Sequence, residues 1–150
     1  MKKTIALLVS VAFLSFNGIA QKKDVWNIDK NHSKILFSVA HMVVSEVNGQ
    51  FNDYDLKVAA GKKDFTDAEV EILIDVKSLT TDNDMRDGHL KSEDFFDAEK
   101  HPKITFKSKE FKKLTDKEYK LIGDLTMKGL TKTVEFDVIY KGQRPEEHTS

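Results

Sequence analysis

The amino-acid sequence predicts an all-β domain that follows an export signal. Three observations lead to this prediction. Apolar and polar residues alternate with a period of two over most of the chain after residue 25, turn-forming residues separate the alternating runs, and a short basic segment followed by an apolar run opens the chain. Such alternation is typical of strands with one buried and one solvated face.

The first twenty residues have the layout of a secretory signal peptide. Lys2 and Lys3 precede an apolar run over residues 5–16, and small side chains lead up to Ala20. This run is shorter than the roughly twenty apolar residues that a membrane-spanning helix needs. We therefore expect cleavage after Ala20, a single domain over residues 21–150 and no stable membrane anchor.

Composition excludes several classes of function. The chain has no cysteine, which excludes disulfides, thiolate catalysis and cysteine metal sites. Its 24 basic and 25 acidic residues are too evenly balanced to predict a nucleic-acid partner. The five histidines, at positions 32, 41, 89, 101 and 148, lack the spacing by which one element holds a metal. We predict no metal, no cofactor and no catalytic residue.

Seven strands are predicted in succession. The clearest pattern runs from Ala68 to Lys77, where Val70, Ile72 and Ile74 share one face. Short turns between consecutive strands favour antiparallel pairing. The predicted strands cover residues 25–29, 33–42, 46–58, 68–77, 103–109, 118–128 and 131–141.

One helical excursion is predicted in the long break between the fourth and fifth strands. It covers about residues 82–91, with Asp82 or Asp84 as the N-cap. Phe95 and Phe96 then return the chain to the core.

A sheet with one apolar face must close on itself or pack on a second sheet. A closed barrel of about eight strands has an interior that is filled by side chains or that holds one small ligand. The alternation by itself leaves open both choices, barrel or sandwich and filled or hollow.

Several unusual strings occur in one order along the chain. They include Trp26-Asn27-Ile28-Asp29, Phe37-Ser38-Val39-Ala40-His41-Met42, Arg86-Asp87-Gly88-His89-Leu90 and Gly123-Asp124-Leu125-Thr126-Met127-Lys128-Gly129-Leu130-Thr131-Lys132. From about Val25 to Tyr140 the sequence closely resembles the YceI-like family of bacterial periplasmic proteins.

The resemblance implies a lipocalin-like, extended antiparallel β-barrel whose interior holds a polyisoprenoid or isoprenoid-quinone-like lipid. It also implies a periplasmic carrier, sometimes linked to stress, rather than an enzyme. On this basis the expected ligand-lining residues are Phe37, Val39, Phe51, Ile72, Ile74, Phe106, Leu121, Leu125, Phe136 and Val138.

Two polar side chains are candidates for the ligand's polar end. His41 shares the alternation of Phe37 and Val39 and is predicted to point inward, either to bind that end or to serve as a hydrogen-bonded core residue. Arg86 is predicted at the barrel mouth, where a guanidinium suits a phosphate headgroup. Alternatively, Arg86 is part of a latch that holds residues 78–101 over the barrel end.

The resemblance also predicts further strands after Gly142, where residues 143–150 instead form a polar tail. We therefore expect a C-terminally incomplete barrel whose open edge favours pairing with another chain, for example in a homodimer. Two other functions remain open: a lipid-directed enzyme that uses His41, Arg86 and His89, and a packed structural or partner-binding barrel.

Overall fold

The structure, a computed structural model, describes residues 22–41 and 45–142. The predicted signal peptide and the polar tail lie outside these residues. One helix, α1 (Asp84–Lys91), and one 3₁₀ turn, Val76–Ser78, accompany the strands. The strands are β1 (Asp24–Asn27), β2 (Ile35–His41), β3 (Ser45–Phe51), β4 (Tyr54–Ala60), β5 (Glu69–Asp75), β6 (Leu79–Thr80), β7 (Lys103–Lys113), β8 (Glu118–Met127) and β9 (Leu130–Ile139).

The strands form two antiparallel sheets. Six of them follow the order β1-β4-β5-β7-β8-β9, and the other three follow the order β2-β3-β6. The predicted all-β, antiparallel class with one short helix is confirmed. Hydrogen bonding among the described residues does not close the strands into a barrel, because β9 and β2 are each the edge of a separate sheet.

The predicted strand over residues 46–58 is wrong as a single element. β3 ends at Phe51 and β4 begins at Tyr54, and the two belong to different sheets. The corner between them is held by backbone bonds: the Asn52 amide donates to Ser78 O (3.2 Å), and the Asp75 amide donates to Asp53 O (2.9 Å). Strand β6 was not predicted, since two residues are too few to show alternation.

The helix begins two residues later than predicted. Its N-cap is Asn83, whose side-chain oxygen accepts the Arg86 amide at 3.0 Å. The predicted caps Asp82 and Asp84 are therefore wrong. The reason is that Asn and Asp cap helices about equally well, so three neighbouring candidates cannot be ranked by residue type.

A two-residue turn joins β8 to β9. Lys128 and Gly129 both have positive φ, 50° and 73°, as the tightest hairpin turns require. This turn pairs Met127 with Leu130 and so sets the register of the whole hairpin. The Lys128 ammonium donates to the backbone oxygen of Glu93 at 2.6 Å, which ties the turn to the segment after α1.

The apolar residues form two clusters that differ in what covers them. The two-sheet cluster joins both sheets and α1, and its buried members are Phe51, Tyr54, Ile74, Val76, Leu79, Leu90, Ala98 and Ile104. The open-face cluster comes from the six-stranded sheet alone. It consists of buried Val70, Phe106 and Leu121 with partly buried Val58, Ile72, Phe111, Leu125, Val134 and Val138. The three-stranded sheet therefore covers only part of the inner face of the larger sheet.

Candidate functional site: an apolar face with two grooves

The inner face carries two apolar grooves, one at the border of the three-stranded sheet and one beyond it. The first groove, of about 580 Å³, lies between β2, the segment after α1 and the β8–β9 hairpin. The second groove, of about 310 Å³, lies at the other end of the same face. The first is lined by Val39, Leu90, Phe95, Phe96, Leu125, Met127, Leu130 and Val134, with Asp94, Lys128 and Lys132. The second is lined by Trp26, Val58, Phe65, Phe111, Tyr119, Val138, Ile139, Tyr140 and Lys141.

Strand β9 connects the two grooves. Val134 lines the first groove and Val138 lines the second, and Phe136 lies between them on the same face of the strand. Phe136 is 41% exposed and packs edge-on against Phe106, with ring centroids 5.3 Å apart. At roughly 3.3 Å per residue, the face from Tyr119 to Met127 is about 26 Å long.

Three phenylalanines hold the segment after α1 against the three-stranded sheet. The ring centroid of Phe96 lies 6.0 Å from that of Phe37 and 5.9 Å from that of Phe51, and both pairs are nearly edge-to-face. Such pairs add to the stabilisation that burial provides. This packing fixes the wall of the first groove opposite the β8–β9 hairpin.

A latch of hydrogen bonds positions α1. The amide and hydroxyl of Thr81 donate to Asp87 Oδ1 at 2.8 and 2.5 Å. Burial of Asp87 opposes ionisation, but hydrogen bonds from Thr81 and Thr80 outweigh it and hold the pKa of Asp87 below its usual value. Arg86 Nε and Nη2 donate to the hydroxyl and backbone oxygens of Thr81, each at 2.7 Å. These contacts favour the latch interpretation of Arg86.

The expected lining residues fall into two groups. Val39 and Leu125 line the first groove, Val138 lines the second, and Phe136 joins them. The others pack within the clusters, namely Phe37, Phe51, Ile72, Ile74, Phe106 and Leu121. The His41 side chain lies outside the part of the chain that the structure describes.

Several groove residues were not expected from the sequence. Phe95 was expected to return the chain to the core with Phe96, but its side chain is 42% exposed beside the first groove. Phe65 lies in a loop, where no periodicity marks a side chain as inward. Trp26 lies on β1, which is too short to define a face. Val134 and Tyr119, by contrast, lie on the same faces of β9 and β8 as the expected residues. The period-two pattern therefore predicted that they point inward.

The residues considered for catalysis have separate partners. Arg86 binds Thr81, whereas His89 Nε2 lies 3.5 Å from Asp94 Oδ2 and the His89 ring packs edge-on against Phe95. Across residues 22–41 and 45–142, no three His, Asp or Glu side chains are grouped so that they would hold a metal ion. No helix in the same residues is long and apolar enough to cross a membrane.

Comparison with known proteins matches a model of the YceI-like domain to residues 26–149. A UPF0312 protein of Staphylococcus aureus is 39% identical over 117 residues, which cover 78% of this chain and 66% of that protein. The chain thus spans about two thirds of the length of the curated relatives that it matches.

Two solved structures share the fold. BcnA of Burkholderia cenocepacia superposes with a TM-score of 0.72 at 25% identity, covering 79% of this chain and 73% of its own. A YceI protein of Campylobacter jejuni superposes with a TM-score of 0.61 at 32% identity, covering 77% and 67%.

Proposed function

Since the chain belongs to the YceI-like family, we propose that it is an exported binding protein that carries a long apolar chain, such as a polyisoprenoid or the tail of an isoprenoid quinone. The open-face cluster is the observation that supports this proposal. It is built by one sheet only, and among the described residues β2 and the segment after α1 border it only at the first groove, so that two open apolar grooves remain.

The size and lining of the grooves suit such a ligand. Small-molecule sites commonly measure about 300–1,000 Å³ and are lined mainly by apolar side chains with a few polar groups. A flexible chain laid along Val134, Phe136 and Val138 would occupy both grooves. It would remove its own surface and that of the protein from water, at about 25 cal/mol per Å² of apolar surface buried.

The opposite face of the six-stranded sheet carries exposed, charged side chains. Lys109 lies 2.6 Å from Asp124, and Lys120 lies 2.8 Å from Asp137. These pairs are exposed, so they contribute little to stability, but they keep the outer surface solvated. A charged exterior and an apolar inner face are what a carrier of an insoluble chain needs in an aqueous compartment.

The periplasmic setting, and a role in stress responses, are further parts of the proposal. They rest on the signal-like segment over residues 1–20 and on family membership. Fractionation of cells that express the full chain tests the location. Recovery of a shortened protein that begins at Gln21 from the periplasm is the expected result.

The ligand is tested by extracting the purified, exported protein with organic solvent and analysing the extract by mass spectrometry. We expect an isoprenoid lipid in near-stoichiometric amount. Phe136→Thr should lower the yield because it places a hydroxyl in the middle of the apolar face. Leu73→Thr is the matched control, since Leu73 is also 41% exposed but lies on the charged side of the sheet. A wild-type extract without any apolar chain would contradict the proposal.

A further inference from the structure

We propose that Lys132 makes the first groove selective for apolar chains that end in an anionic group, either a carboxylate or a phosphate monoester. The inference rests on the proposed function and specifies the ligand class. In this arrangement the anionic end of the ligand lies at the β8–β9 turn, and its apolar tail runs along β9 toward the second groove.

Lys132 interrupts an otherwise apolar surface. It faces Leu125 across the hairpin, and its neighbours on the same side of β9 are Leu130 and Val134. Strand alternation places Tyr119, Leu121, Gly123, Leu125 and Met127 of β8 on this side, with Leu130, Val134, Phe136 and Val138 of β9. Within these two strands, Lys132 is the one charged residue of the inner face.

Within residues 22–41 and 45–142, the Lys132 charge has no ionic partner. Lys109 and Lys120, on the outer face, each lie within 3 Å of a carboxylate. Across the described residues, Lys132 has no carboxylate within 4.0 Å and no hydrogen-bond acceptor for its ammonium. An ammonium beside an apolar wall interacts more strongly with an anion once a ligand displaces water, because the local dielectric constant falls.

The other charged groups of the first groove already have partners. The Lys128 ammonium is held by the Glu93 backbone oxygen at 2.6 Å, and Asp94 Oδ2 lies 3.5 Å from His89 Nε2. Asp94 is the acidic side chain that lines this groove, and it is directed at His89. Lys132 is therefore the group positioned to receive an anion without giving up an existing contact.

The test measures the affinity of the purified full chain for three probes with the same alkyl chain: hexadecanol, hexadecanoic acid and hexadecyl phosphate. Near pH 8 a carboxylic acid in water is ionised, whereas an alcohol is neutral. We expect wild type to bind one or both anions about fivefold more tightly than the alcohol, which corresponds to ~1 kcal/mol. The two anions distinguish a carboxylate site from a phosphate site.

Three variants decide the role of Lys132. Lys132→Met and Lys132→Gln remove the charge with an apolar and a polar side chain, and both should bring the anion-to-alcohol affinity ratio close to one. Lys112→Met is the control, since Lys112 is exposed and lies on the outer face of β7, opposite Lys120. It should keep the wild-type ratio.

Different binding results would contradict this inference and the proposed function. If wild type binds none of the three probes, the proposed function fails, and this inference fails with it. If wild type binds acid, phosphate and alcohol equally, or if both Lys132 variants keep the preference, apolar binding stands and the role of Lys132 is overturned.

Discussion

The two halves of the inner face have the same strand pattern but different surroundings. In the two-sheet cluster, Ile74 and Ile104 of the six-stranded sheet are only 8% and 5% exposed because β2, β3 and β6 lie over them. Beside the open-face cluster, Phe136 of the same sheet packs on Phe106 and is 41% exposed. Alternation thus predicts which side of a strand is apolar, and the packing of a second layer decides whether that side supports stability or remains available to a ligand.

The largest expected effect is on stability in the covered half. Leu79→Ala removes a fully buried side chain and should lower the free energy of unfolding by about 3 kcal/mol. The same substitution at Leu130, which is 68% exposed beside the first groove, should cost less than about 0.5 kcal/mol. Urea unfolding of both variants measures the difference. Equal losses would show that the two halves are covered alike.

A second pair of substitutions tests how tightly the backbone of β8 packs against β7 beneath the open-face cluster. A methyl group at Gly123 would collide with the Lys107 backbone oxygen and with the Phe106 ring. Gly123→Ala should therefore destabilise the protein by about 2 kcal/mol, the usual cost of overpacking.

Gly88→Ala is the control for that substitution. Gly88 lies in α1, and an added methyl group there would meet nothing within 4 Å. This change should raise stability by roughly 0.5–1 kcal/mol, because alanine favours a helix more than glycine does. Thermal unfolding measures both variants, and a neutral Gly123→Ala would mean that the sheet adjusts freely beneath the open face.

A third prediction concerns the latch that places α1 beside the first groove. Asp87→Asn should cost about 1–2 kcal/mol near neutral pH, because Thr81 then loses a charged acceptor. The folded-state pKa of Asp87 is below its usual value, so its contribution is present above the unfolded pKa and is lost as pH falls through the folded one.

The difference in stability between wild type and Asp87→Asn should therefore shrink in acid. Urea unfolding near neutral pH and again below the usual pKa of Asp measures it. Asp84→Asn, on the exposed side of the same helix, serves as the control and should change little. A gap that stays constant with pH would rule out the charged Asp87 as the source of the latch's stability.

The smallest effect on stability is expected in the open half itself. Val134→Thr keeps the shape of the side chain and should cost less than about 0.5 kcal/mol where valine is only partly buried. Binding of hexadecanol should weaken measurably in the same variant, since the hydroxyl faces the first groove. Loss of stability without loss of binding would place Val134 in the covered core.

Long alternating runs were the part of the fold that the sequence predicted well. Strand β8 was predicted at 118–128 and observed at Glu118–Met127. The corner at Asn52 and Asp53 was missed although the alternation changes phase there: Val47 and Phe51 occupy odd positions, whereas Tyr54, Leu56 and Val58 occupy even ones. The chain changes sheets at this break. Strand β6 exists only because Leu79 and Thr80 pair with Phe51 and Gln50, and no local pattern shows such a distant pairing.

The site was predictable to the same extent and for the same reason. Leu125 and Val138 lie on long alternating strands and were expected to face a ligand. Phe95 and Phe65 reach the grooves from turns, and only tertiary packing directs them there. Arg86 was considered both for a headgroup and for a latch. Its Nε and Nη2 donate to Thr81, an interaction that depends on how α1 packs beside β6.

Photo-crosslinking with a benzophenone-bearing isoprenoid, mapped by mass spectrometry of the digested full-length protein, tests the central claim most directly. We predict labels on the inner face of β8 and β9, at Leu125, Val134 and Phe136, and their loss when unlabelled isoprenoid is present in excess. Labels confined to the charged side of the sheet around Leu73, or labels that excess isoprenoid does not reduce, would contradict the claim that the uncovered face binds the ligand.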